Sequence, residues 1–115
     1  MWLLTTAGFY SIVSKPWDRE AGTLTVRARA RADLEALRAR YLPELGDIVE
    51  SATADYRFRA QAPQAAVAEA VRRAVADIDY DNFKDAVAHR QGRAREGIYH
   101  RVWHELFRIQ QPPRT

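Results

Sequence analysis

Seven consecutive residues, Thr23 to Arg29, alternate in polarity. Leu24, Val26 and Ala28 fall on one side of an extended chain; Thr25, Arg27 and Arg29 fall on the other. Successive side chains of a strand point to opposite faces, so this run predicts one face on a core and one in water. Half-wet strands belong to antiparallel sheets, because parallel sheets are covered on both faces. The rest of the chain must therefore supply partner strands and a layer over the apolar side.

Partner strands can be read on either side. Trp2–Thr5 and Phe9–Val13 are β-rich runs around a turn near Gly8, and they predict a hairpin. Trp2 and Leu4 oppose Leu3, and Tyr10 and Ile12 oppose Phe9 and Val13, so both faces of this hairpin are apolar. Such a strand pair needs two covers. The loop through Lys15, Pro16 and Trp17 is one candidate for the second cover, and a partner chain is the other. Asp18 to Gly22 reads as loop. Ile48–Ser51 and Tyr56–Ala60 predict a second hairpin turning at Thr53–Asp55, with Arg57 and Arg59 on its wet face and Tyr56 and Phe58 on its core face.

The covering layer reads as helical. Asp33 is placed to cap a helix carrying Leu34, Leu37 and Tyr41, which Pro43 and Gly46 end. Pro63 suits the first turn of a longer helix with Val67, Ala70, Val71, Ala74, Val75 and Ile78 at steps of three and four. A short helix over 82–88 buries Phe83 and Val87, and Gln91-Gly92-Arg93 breaks it. The last helix presents Tyr99, Val102, Trp103, Leu106 and Ile109 on one face. The expected order is β-β-β-α-β-β-α-α-α. This is an α+β fold with a five-stranded antiparallel sheet and helices on one face, its middle portion resembling part of a ferredoxin-like sandwich. A single domain over 1–110 is expected, with a frayed tail over 111–115.

Composition narrows the chemistry. The 115 residues include no cysteine, which excludes disulfides and thiolate zinc sites. Met1 to Thr6 have no basic leader and too short an apolar run for a signal peptide, so a cytoplasmic protein with no membrane partner is expected. No Gly-x-Ser-x-Gly elbow, phosphate loop or dinucleotide fingerprint occurs. Asp77 to Asp85 places acids at alternate positions like a calcium loop, but its sixth position is Asn82 rather than glycine and its twelfth is Ala88 rather than glutamate. Capping of the next helix by Asp79 or Asp81 accounts for the run better. His100 and His104 are four apart but lack a third ligand, and His89 lies near a helix end. No cofactor, metal site or catalytic residue is expected.

Two basic surfaces remain. Arg27, Arg29, Arg57 and Arg59 can meet on the open face of the sheet, where guanidinium forks suit phosphate or carboxylate. RNA-binding sheets also need exposed aromatics, and Tyr56 and Phe58 read as core. The second surface is the polar face of the last helix, with Arg101, His104 and Arg108, in a stretch (84–115) holding seven basic and three acidic side chains.

Several segments together carry a resemblance. They are Met1-Trp2-Leu3-x-Thr5, Gly8-Phe9-Tyr10-Ser11-x-Val13, Leu24-x-Val26-Arg27-Ala28-Arg29, Ala54-Asp55-Tyr56-x-Phe58-Arg59, Ile78-Asp79-Tyr80-Asp81-Asn82-Phe83-Lys84 and Tyr99-His100-x-Val102-Trp103. Across nearly the whole chain this resembles a family of small bacterial and phage-borne hypothetical proteins. The resemblance implies a compact single domain and assigns no role to any residue. The expected function is a non-enzymatic protein-interaction module, for a protein partner or a second copy of the chain. The alternatives are a nucleic-acid-binding accessory protein, a phage-borne inhibitor of a bacterial defence complex, and a small metal-dependent enzyme using Asp79, Asp81 and the histidines.

Overall fold

The structure, a computed structural model, describes residues 1–111. The chain forms two compact units, Met1–Asp79 and Tyr80–Thr115, within what the sequence pattern reads as one domain. The tail expected over 111–115 lies, apart from Gln111, outside the described residues.

The first unit is an α+β arrangement on a five-stranded antiparallel sheet. Its strands are β1 (Trp2–Leu4), β2 (Phe9–Val13), β3 (Thr23–Ala28), β4 (Val49–Glu50) and β5 (Phe58–Pro63), in spatial order β1-β2-β3-β5-β4. Its helices are α1 (Pro16–Ala21), α2 (Arg31–Arg40) and α3 (Gln64–Ala76). The alternation at β3 sets the arrangement. Val26 and Ala28 join Tyr10 and Ile12 of β2 and Ala60 and Ala62 of β5 on one buried face. Against them pack Leu34 and Leu37 of α2 and Val67 and Ala70 of α3. Full burial of a side chain such as Leu34 stabilises the fold by roughly 1.5–3 kcal/mol.

Several local expectations need correction. Asp33 does not cap α2, which begins at Arg31 after Ala30. It sits in the first turn instead, where its Oδ2 accepts from the Phe9 backbone N–H at 3.0 Å, while Tyr10 Oη donates to its carbonyl at 2.7 Å. This ties the first hairpin to α2 and leaves room only for glycine at position 8: a Cβ there would lie 2.6 Å from Asp33 Cγ. Pro63 ends β5 and precedes α3 rather than entering it. The strand expected from Tyr56 begins only at Phe58.

The helices of this unit do not all gather on one face. Residues 16–21, expected as loop, form α1 with Pro16 at its first position and Gly22 closing it in the left-handed conformation (φ 69°). Asp18 and Trp17 of α1 contact Thr25, which points away from the α2–α3 layer. Helix α1 thus covers part of the second face of the sheet at β3 and β5.

The second unit is a helix pair, α4 (Phe83–Gln91) and α5 (Arg93–Leu106), joined at Gly92 (φ 91°) and followed by a 3-10 turn, Phe107–Gln110. Asn82, rather than Asp79 or Asp81, caps α4: its side chain accepts from Asp85 N–H at 3.0 Å. Val87 and Tyr99 are buried, and Phe83 stacks on Tyr99 with centroids 5.9 Å apart. No helix among the described residues is long and apolar enough to cross a membrane.

Candidate anion-binding site on the open sheet face

The face of the sheet away from α2 and α3 has two poles. At one end of β3 lies the Asp18 carboxylate, which is 1% exposed. Its Oδ1 accepts from Thr23 Oγ1 (2.6 Å) and Gln61 Nε2 (3.0 Å), and its Oδ2 accepts from Thr25 Oγ1 (2.8 Å) and the Lys15 backbone N–H (2.8 Å). Burial alone pushes this carboxyl up. The donors from Thr23, Lys15, Thr25 and Gln61 together outweigh burial and hold it at about 2, below its ordinary 3.8. Trp17 of α1 closes this pole by donating its indole N–H to Thr25 Oγ1 at 3.3 Å.

At the other end the charges are positive. The strand register forms a row across the sheet: Trp2 is opposite Ser11, Ser11 opposite Arg27, Arg27 opposite Arg59, and Arg59 opposite Val49. Two guanidinium groups therefore face each other on neighbouring strands, an unfavourable pairing without a counter-charge. Tyr56, 3% exposed, lies over this end from the loop before β5. Arg27 and Arg29 approach its ring at 4.5 and 4.6 Å from the centroid. Arg27 Nη2 donates to Ser11 Oγ at 2.7 Å, Arg29 Nε to the Asp55 carbonyl at 3.2 Å, and Arg59 Nη2 to the Tyr56 carbonyl at 3.3 Å. All three acceptors are neutral. Among the described residues no carboxylate forms an ion pair with Arg27, Arg29 or Arg59. The Nε atoms of Arg27 and Arg59 are out of water and have no acceptor. A buried donor left unmatched costs about 1–3 kcal/mol and marks a place where an ion or ordered water is expected.

Three of the four expected strand arginines thus converge. Arg57 does not: it precedes β5 and pairs with Glu50 at 2.7 Å on the surface. Tyr56, expected with the core, belongs to the arginine set instead. Aromatic side chains extend this pole along the sheet. Phe9 lies 6.4 Å from Tyr56, and Trp2 meets Phe9 edge-on at 5.8 Å. Trp2 is 68% exposed, and Trp17, at the other pole, is 54% exposed. Trp2, Phe9 and Ser11 were not read as site residues; the signal is their spacing, which assigns them a face but not a strand partner.

The second basic surface lies in the other unit. Arg101 and His104 are exposed on α5, and Arg108 follows in the 3-10 turn, paired with Glu105 at 2.6 Å. The same stretch exposes Ile98, Trp103, Leu106, Phe107 and Ile109, of which Trp103, Leu106 and Ile109 belong to the apolar helix face read from the sequence. His100 stacks on Trp103, and Lys84 Nζ sits 4.3 Å from the centre of that ring. No three His, Asp or Glu side chains among the described residues are grouped to hold a metal ion. No family model matches the chain, and no curated protein or solved structure shows detectable similarity to it.

Proposed function

We propose that the chain is a non-enzymatic binding module whose open sheet face takes an oxyanion-bearing partner at Arg27, Arg29 and Arg59. One observation carries this reading: three guanidinium groups gather at one buried tyrosine, Arg27 and Arg29 over its ring and Arg59 on its backbone carbonyl, with only neutral acceptors between them. Cation–π contact holds Arg27 and Arg29 in place but cancels none of their charge. Guanidinium forks match phosphate and carboxylate oxygens and do not shuttle protons, so the pole is suited to holding a partner rather than to acid–base chemistry. The test is thermal unfolding with added inorganic polyphosphate at low salt. A ligand that binds only the folded state raises the midpoint. The wild type gains stability, and Arg29→Ala, at an exposed position, loses most of that gain. No gain for the wild type contradicts the reading.

A second reading, contact with a protein partner, is favoured by the exposed Ile98, Leu106 and Ile109 around α5. Large apolar side chains exposed in one short stretch are a feature of interaction surfaces when they form a patch. Light scattering over a concentration series tests its self-associating form: Leu106→Asp abolishes any dimer, and a strict monomer at all concentrations counts against it.

A further inference from the structure

We infer that the partner of the arginine pole is single-stranded nucleic acid, a deepening that rests on the anion-binding reading above. The arginines account for a negative charge but not for what lies beside them. Trp2 projects from the same face as Arg27, in the same cross-strand row, with Ser11 between them. Strand spacing places Trp2 roughly 10 Å from Arg27 and roughly 14 Å from Arg59, measured between backbones. Phe9 supports the indole edge-on, yet more than two-thirds of Trp2 remains open to solvent. Trp17, held against Thr25, gives the face a second exposed indole beyond the arginines. Non-specific single-strand binders combine these two elements, a basic track for the backbone and aromatic faces on which bases stack. An acidic peptide would engage the guanidinium groups and leave both indoles unused. A duplex keeps its bases stacked inside and would likewise leave them bare.

The division of labour follows from the geometry. Arg27, Arg29 and Arg59 hold phosphates, and Trp2 takes a base from the strand running across the row. No residue in the row offers a pattern of donors and acceptors fixed against a base edge, so binding is tolerant of sequence. The phosphate term weakens with salt, with a slope of about 0.7 per phosphate neutralised on a single strand. Stacking on one aromatic is lost on truncation and retained when another ring replaces it.

Fluorescence anisotropy of the full chain tests this, with labelled oligothymidylate at low salt and with unlabelled duplex, polyglutamate and inorganic polyphosphate as competitors. Oligothymidylate binds, with quenching of tryptophan emission. Trp2→Ala weakens it about tenfold, Trp2→Phe restores most of the loss, and Arg29→Ala lowers the salt slope by roughly 0.7. Circular dichroism of each variant confirms folding. If polyphosphate or polyglutamate binds as well as oligothymidylate and Trp2→Ala has no effect, the nucleic-acid inference fails while the anion-binding reading stands. If none of the polyanions binds at low salt, both fail.

Discussion

The two poles of the open sheet face solve opposite electrostatic problems, and only one is solved within the chain. Asp18 is a buried charge surrounded by four donors, two of them threonine hydroxyls from the strand it covers. Arg27, Arg29 and Arg59 are three like charges at one buried tyrosine, two over its ring and one on its carbonyl, with neutral acceptors and two unmatched Nε donors. The first arrangement favours folding. The second keeps a local cost, which on the proposed reading an incoming anion relieves. Matched charge serves stability at the first pole; unmatched charge at the second is what the proposed binding reading rests on.

The largest effect that sharpens this contrast is at Asp18. Asp18→Asn leaves the hydroxyls of Thr23 and Thr25 facing a poorer acceptor and costs about 2–5 kcal/mol in urea unfolding. The pH dependence follows from the lowered carboxyl. Its folded value lies below its unfolded one, so the contribution is complete above about 3.8 and disappears as pH falls towards about 2. The wild type loses stability through that window, and Asp18→Asn loses less. An unchanged acid limb would show that the first pole is not the stabilising one.

Next comes the ring that organises the second pole. Tyr56→Leu keeps an apolar side chain but removes two cation–π contacts, and is expected to cost about 1–3 kcal/mol by the same unfolding assay. It also frees the arginines and so lowers affinity for oligothymidylate. A stable variant with full affinity would break the claim that Tyr56 arranges the site.

The smallest effects separate Arg59 from Arg57. Arg59→Met removes a like charge opposite Arg27 and an unmatched donor, and shifts stability by less than about 1 kcal/mol or raises it, while binding falls. Arg57→Ala breaks an exposed pair with Glu50, worth about 0–1 kcal/mol, and a 5.8 Å contact with the Phe58 ring, and leaves binding unchanged. Equal binding losses in both variants would mean that general charge, and not the pole, attracts the partner.

Much of the first unit is legible in the sequence because its strands alternate cleanly. Leu24, Val26 and Ala28 face the core, and Arg27 and Arg59 share the open face, as period-two spacing requires. Spacing fails where the strand stops. Tyr56 and Arg57 share parity with Phe58 and Arg59, but parity has no meaning outside β5, so the loop is free to place Tyr56 among the arginines. Helix α1 was missed although Pro16 and Gly22 bracket it, because its single turn and a half carries no apolar stripe; its anchor is the polar Asp18. Asn82 took the capping role expected of Asp79 or Asp81 because it is the residue immediately before the first helical turn. Strand pairing, which sets Trp2 in line with Arg27 through Ser11, is a non-local fact that local pattern does not contain.

The side-chain Nε–Hε resonances of the arginines, followed by NMR while oligothymidylate is added, test the central claim most directly. The account predicts that Arg27, Arg29 and Arg59 shift together and saturably, while Arg57 stays in place. Shifts confined to Arg57, Arg101 or Arg108, with the other three unmoved, would contradict it.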